Sequence, residues 1–285
     1  MNFSQALKLI FNEFLYGGHL ISLGAVGIVF SSAILLEIKI DLDFLIIVYL
    51  FSYNSILYNR YREFRIDYLT NPERTKNLRK YFKYISLILC FSILITTGIF
   101  IFNNKFLALF FLILLSLLTF LYTEYFKNIT KNIFIFKNIY FSFVTGLLLI
   151  LLVLYYSYPI LNFIFFIIFI FVFLRMFINT VFLDIKDVKG DNKIRLKTIP
   201  ILFGETKTLK ILQLLSMISI LPILIGVYLG FLHLFSLVLI FIVPYSFYYF
   251  FESKKRKNFY LVNYFLADLE FILWPILLLL SKNLI

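Results

Sequence analysis

Two stretches of this sequence set acidic side chains among Lys and Arg at the repeat of a helix. The first reads Asn59-Arg60-Tyr61-Arg62-Glu63-Phe64-Arg65-Ile66-Asp67, then Asn71-Pro72-Glu73-Arg74. The second reads Asp184-Ile185-Lys186-Asp187-Val188-Lys189-Gly190-Asp191. A step of four residues turns a helix by about 400°, so Asn59, Glu63 and Asp67 fall on one stripe. Asp184, Asp187 and Asp191 are spaced three and four and also share a face, with Asn179 eight residues before Asp187 on the same stripe. Stacked carboxylates repel one another. A hard cation offsets that repulsion through oxygen ligands, and Mg²⁺ in particular is held by one or two carboxylates together with substrate phosphates. The interleaved basic groups suit the remaining phosphate oxygens. A metal with basic groups beside it stabilises a phosphate leaving group as its bond breaks. The plainer reading is a pair of solvated, mixed-charge helix ends. It accounts for either stretch alone and less well for two stripes in register.

The elements that must position these residues are read from composition. The chain has 285 residues, 62% hydrophobic and 21% aromatic, and only 15% are charged. Soluble domains average about 25% charged, and a soluble surface this apolar would aggregate. Lipid is the alternative solvent, and the apolar runs are long and continuous, as in membrane helices rather than barrel strands. Nine spans are expected, at about 18–36, 42–59, 81–103, 106–126, 136–157, 159–183, 208–230, 231–251 and 259–281. The fold class is therefore all-α, a polytopic membrane bundle with short cytosolic helical loops after spans two and six. No linker divides the chain, so residues 1–285 read as one domain.

The formal charge is +12. Of the 27 Lys and Arg, all but Lys39, Lys105, Lys282 and Arg175 lie at the N-terminus or in alternate loops, within 60–83, 127–137, 186–210 and 254–257. This positive-inside bias implies a multi-pass protein of the cell membrane with its N-terminus in the cytosol and its C-terminus outside. It also makes lipid, not nucleic acid, the partner of the positive charge. Lys254 to Lys257 read as an anchor to the anionic leaflet. Cys90, within an apolar run, implies neither a disulfide nor a thiolate site. His19 and His233 stand apart from one another and do not suggest a metal. No cleavable signal peptide is evident, and residues 1–17 read as an amphipathic lead-in to the first span.

At the two acidic stretches the sequence resembles the UbiA superfamily of intramembrane prenyltransferases, which includes 4-hydroxybenzoate polyprenyltransferases and archaeal digeranylgeranylglyceryl phosphate synthases. The first family motif, an Asn followed by acids four and eight residues on and then a Pro and Arg turn, is similar to Asn59, Glu63, Asp67, Pro72 and Arg74. The second, a DxxxD run with a threonine-proline-leucine-glycine style tail, is similar to Asp187 and Asp191, preceded by Asp184 and followed by the stretch Lys193 to Gly204. The resemblance implies one Mg²⁺ on Asn59, Glu63 and Asp67 and another on Asp184, Asp187 and Asp191. It makes Asp67, Asp187 and Asp191 the catalytic candidates. Arg74, Tyr122, Lys127 and Lys193 would contact the diphosphate. Lys137-Asn138 is a weaker echo of the family. Glu63 departs from the usual Asp, Arg60 stands where many members have Asp, and Thr75-Lys76 replaces an Arg-Pro pair.

The resemblance implies transfer of a prenyl group, polyprenyl or geranylgeranyl, from its diphosphate to an aromatic or membrane-associated lipid acceptor. A lipid-phosphate transporter or flippase is the rival class, and a noncatalytic relative is a third reading. Transporters show repeat halves with broken helices at the midplane, whereas the acids here gather at one face. Asp268 and Glu270, at the start of the last span, are intramembrane acids that could orient an acceptor or pair with Arg175. Trp274 reads as packing.

Overall fold

The computed structural model describes residues 3–159, 162–255 and 262–284, and the described residues are helical with no strand. Arg256 and Lys257, two of the basic residues in the expected anchor, lie outside them. So do residues 160–161 and 259–261, at the starts of two expected spans.

Helix α1 (Phe3–Gly17) meets α2 (His19–Leu35) at a bend of 62°. Gly18 makes the bend with φ of 103°, a region that side chains disfavour. Arg60 seals the corner, since its Nη1 donates to the Tyr16 carbonyl at the end of α1. A cation there complements the helix dipole. Helices α3 (Leu42–Arg62), α4 (Phe64–Thr70) and α5 (Pro72–Arg79) follow, then α6 (Ile85–Phe102), α7 (Phe106–Glu124), α8 (Phe136–Gly146) and α9 (Leu148–Tyr155). The second half holds α10 (Phe163–Lys193), α11 (Ile199–Ile218), α12 (Leu221–Tyr228), α13 (Ile242–Lys254) and α14 (Ala267–Leu284).

Among the described residues seven segments are long and apolar enough to cross a bilayer, and the bent pair Ile10–Gly17 with His19–Leu35 would make eight. The ninth expected span is represented by α14, whose 18 residues include Asp268, Glu270 and Lys282. Composition explains why it falls short of the same test, not its packing. α14 lies along α2, where Gly24 and Gly27 let the two backbones approach. A Cβ on Gly27 would run into the Phe271 carbonyl. The outer faces of α6 and α7 carry exposed Leu87, Phe91, Leu94, Phe106 and Phe110, as a lipid boundary requires. The main core joins α2, α3, α9, α10 and α14 through residues such as Ile28, Phe44, Leu149, Phe171 and Trp274.

One buried ion pair ties the second half together. Arg175 Nε donates to Glu270 Oε1 at 2.9 Å, and its other nitrogens reach the hydroxyls of Ser216, Ser219 and Ser246. Tyr249 donates to Glu270 Oε2 at 3.0 Å. The Arg175 and Glu270 side chains are 0% and 1% exposed, so this charge pair depends on those added donors and acceptors.

Candidate active site

The first acidic stretch is not one unbroken helix. α3 ends at Arg62, and Glu63 stands at the junction with φ of −94° and ψ of 8°. The ladder nevertheless continues, because Glu63 N donates to Asn59 O and Asp67 N to Glu63 O, both at 2.9 Å. Asn71 N then donates to Asp67 O at 2.7 Å. Asn59, Glu63, Asp67 and Asn71 are thereby stacked in order across two breaks in the helix. The stripe expected from spacing survives because the four-residue hydrogen bonds do.

The second stretch is the end of α10, a single helix of 31 residues. At 1.5 Å per residue it is about 46 Å long, against roughly 30 Å of hydrocarbon, so its last turns project beyond the membrane. The helical loop expected after span six is a continuation of α10 itself. Asp184 and Asp191 are buried, and Asp187 is half-buried. The chain then turns at Arg195 (φ 61°), with Leu196 N bonded back to Asp191 O. Lys197 N donates to Thr130 O at 3.0 Å, which fastens this tail to the 126–131 segment that carries Lys127.

The two stretches face each other across a cavity of about 330 Å³. Asn71 Nδ2 joins them directly, donating to Asp187 Oδ1 at 3.0 Å. Basic side chains hold the carboxylates. Arg74 pairs with Asp67 at 2.6 Å, and Lys127 pairs with Glu63 at 2.5 Å. Lys186 pairs with Asp187 at 2.8 Å. Lys137 lies 2.8 Å from Asp184 and 3.3 Å from Asp191, while Asn138 Nδ2 donates to the other Asp184 oxygen. Six acids (Glu63, Asp67, Asp184, Asp187, Asp191, Asp268) and five bases (Arg60, Arg74, Lys127, Lys137, Lys186) line the same cavity. Its remaining wall is mainly apolar, with Ile21, Ala25 and Ile28 from α2, Phe141, Val144 and Leu148 from α8 and α9, and Phe271 from α14.

Among the described residues no three acidic, His or Cys side chains converge as a ready metal site. Each of the five carboxylates on the two stretches pairs with a basic group, Lys137 serving both Asp184 and Asp191. The donor set nevertheless fits Mg²⁺, which takes few carboxylates and completes its octahedron with water and phosphate oxygens.

Of the residues expected from the sequence, Asn59, Glu63, Asp67, Arg74, Tyr122, Lys127, Asp184, Asp187 and Asp191 all line this cavity. Lys193 does not; it is exposed at the end of α10. Two residues beyond Asp191 is about 200° round the helix, which points it away from the acidic face. Lys137 and Lys186 stand in the cavity instead. Asn71, not among the residues that the spacing singles out, continues the four-residue series from Asn59. Asn179 lines the cavity and donates to the Ala267 carbonyl at 3.0 Å, which seats α14 and brings Asp268 to the wall.

No curated protein gives a significant match to the sequence. Solved structures do match the fold. A UbiA homologue from Aeropyrum pernix K1 aligns with a TM-score of 0.69 at 14% identity, over 92% of this chain and 97% of that one. A UbiA homologue from Archaeoglobus fulgidus, bound to GPP and Mg²⁺, aligns at 0.60 and 18%, over 95% and 97%. A digeranylgeranylglyceryl phosphate synthase aligns at 0.55 and 18%, over 94% and 99%. The model of the UbiA prenyltransferase family matches residues 20–267, both acidic walls of the cavity included. On that match the chain belongs to the UbiA prenyltransferase family, membrane enzymes that transfer prenyl groups.

Proposed function

We propose that this protein, acting as a single domain over residues 1–285, moves a prenyl group from a prenyl diphosphate to an aromatic or lipid acceptor with Mg²⁺ as cofactor. The observation that carries the reading is the meeting of the two acidic walls at Asn71 and Asp187, at the polar end of a cavity whose other wall is apolar. Asn59, Glu63 and Asp67 would hold one ion, and Asp184, Asp187 and Asp191 the other. Bound there, Mg²⁺ neutralises the diphosphate and stabilises it as a leaving group. The homologue bound to GPP and Mg²⁺ supports this assignment, as does a second Archaeoglobus fulgidus structure bound to DMAPP and Mg²⁺.

The chain's own groups do the rest. Arg74, Lys127, Lys137 and Lys186 exchange their carboxylate partners for phosphate oxygens as substrate enters. Tyr122, buried against Tyr140 and Phe141, forms the wall beside them. Ile21, Ala25, Ile28 and Leu148 receive the prenyl chain and keep water from it. The bond from carbon to the bridging oxygen breaks with its electron pair going to diphosphate. The acceptor then bonds to that carbon, and its displaced proton passes to the departing diphosphate. The positive charge of the basic loops supports a site on the cytosolic side, with the N-terminus inside and the C-terminus outside.

Purified protein should transfer the prenyl group of geranylgeranyl diphosphate to added acceptor only when Mg²⁺ is present. Asp67→Asn and Asp187→Asn should each abolish transfer, and full activity in both would sink the assignment.

A further inference from the structure

Five of the six acids in the cavity stand on the two acidic stretches. The sixth, Asp268, comes from the start of α14 and belongs to neither. It is 4% exposed. An acid in the first turn of a helix suits the helix dipole, but facing water would serve that purpose equally well. Its near neighbour Glu270 is taken up by Arg175, Ser246 and Tyr249. Asp268 instead presents its carboxyl to the cavity, and an acid at that depth of a membrane bundle calls for a task.

Its level in the cavity narrows the task. Asn179 hydrogen-bonds the Asp268 carboxyl, and its Nδ2 also holds the Ala267 carbonyl. Asn179 precedes Asp184 by five residues and Asp187 by eight on α10, which sets it about 7 and 12 Å deeper in the bundle. Asp268 therefore stands below the acidic walls. Phe271, one turn further along α14, already belongs to the apolar wall. On the α2 side Asp268 is faced by the bare backbone of Gly24, which leaves its own backbone carbonyl in ordinary contact there. The charged groups acting on its carboxyl are Lys186 of α10, Arg60 of α3 and Glu270 of α14 itself. A diphosphate held between the acidic walls points its prenyl carbon down the cavity, so the bond to be broken lies at the level between Asp187 and Asn179.

We propose that Asp268 is a further catalytic residue, the carboxylate that aligns the acceptor and receives its proton. This rests on the transferase reading of the cavity and is independent of which acceptor is used. The electron pair of the carbon–oxygen bond leaves with diphosphate, and a pair from the acceptor forms the new bond to that carbon. The hydrogen on the attacking group passes as a proton to Asp268, which returns it to the departing diphosphate. Asn179 holds the carboxylate in place through this exchange. The five acids above it are left to metal and to their basic partners.

The test compares wild type, Asp268→Asn and Asp268→Glu in nanodiscs. Transfer is measured from geranylgeranyl diphosphate to 4-hydroxybenzoate and, separately, to geranylgeranylglyceryl phosphate. Mg²⁺-dependent binding of geranylgeranyl thiolodiphosphate is measured alongside. A positioned base contributes about 10²–10⁴-fold, so Asp268→Asn should lower kcat a hundredfold or more. It should bind the thiolodiphosphate within twofold of wild type, and Asp268→Glu should regain at least tenfold in kcat over Asp268→Asn. A smaller fall in Asp268→Asn, or no gain in Asp268→Glu, would overturn the proposal and leave the transferase reading standing. Loss of thiolodiphosphate binding in Asp268→Asn would also overturn it, by making the residue part of the diphosphate site. Absence of transfer by wild-type protein to both acceptors would overturn the proposal together with the reading beneath it.

Discussion

Asn71 Nδ2 donates to Asp187 Oδ1 across 3.0 Å, joining the turn between α4 and α5 to the projecting end of α10. Asn71 is 1% exposed, and its own backbone is held by Asp67 on one side and Thr75 on the other. It therefore sets the distance between the two acidic walls. A hydrogen bond to a charged group contributes about 1.5–3 kcal/mol, so Asn71→Ala should lower kcat/KM for prenyl diphosphate by roughly tenfold to a hundredfold. Asn71→Asp should lower it further, because two carboxylates would then face each other. Steady-state kinetics at saturating acceptor decide this, and an unchanged kcat/KM in Asn71→Ala would remove the residue from the site.

Lys137 is the shared cation of Asp184 and Asp191. Removing one member of a buried charge cluster costs about 3–5 kcal/mol, and the partial exposure of Lys137 places the expected loss for Lys137→Met at about 1–3 kcal/mol. Thermal unfolding in detergent should show that fall without Mg²⁺. Added Mg²⁺ should recover more of it in Lys137→Met than in wild type, since the ion can replace the lost ammonium between the two carboxylates. Equal Mg²⁺ stabilisation of the two proteins would contradict a metal position beside Asp184 and Asp191.

The Arg175–Glu270 pair is sealed in protein and carries its own hydrogen bonds. Arg175→Met and Glu270→Met should each destabilise by about 3–5 kcal/mol, because each leaves the partner charge buried and uncompensated. The double variant Arg175→Met/Glu270→Met should regain most of that loss. Chemical unfolding of the three variants reads this directly, and additive losses would argue against a coupled pair.

Gly24 and Gly27 face the same helix and differ in how much room they have. A Cβ on Gly24 meets Asp268 O at 3.5 Å, an ordinary contact, whereas one on Gly27 overlaps the Phe271 backbone. Gly24→Ala should be nearly neutral, and Gly27→Ala should cost about 1–3 kcal/mol by forcing α14 away from α2. Melting temperatures of the two variants provide the comparison.

The membrane bundle was legible in the sequence because apolar runs of 20 residues have few other solvents, and the acidic stripes were legible because helix spacing fixes which side chains share a face. The break at Glu63 left no trace, since the hydrogen bonds from Glu63 to Asn59 and from Asp67 to Glu63 carry the register across it. Loop membership identified the basic residues as a group without telling which point inward. Lys193 was favoured over Lys137, yet the turn of α10 carries Lys193 to the far side of the helix, while Lys137 arrives from the start of α8. Nor could the sequence show that the glycines of α2 and Asn179 help to seat α14, alongside its buried Phe271, Trp274 and Leu278. The Arg175 and Glu270 pairing stood among the sequence-level possibilities, and the fold brings it about.

The central claim is that the two acidic walls work as one Mg²⁺-dependent site for a prenyl diphosphate. Equilibrium binding of a hydrolysis-resistant geranylgeranyl thiolodiphosphate to protein in nanodiscs tests it most directly. The account predicts tight binding only with Mg²⁺, a loss of tenfold or more in Asp67→Asn and in Asp187→Asn, and a loss in the double variant well short of the product of the two. Binding that ignores Mg²⁺, or that survives either substitution at wild-type strength, would contradict it.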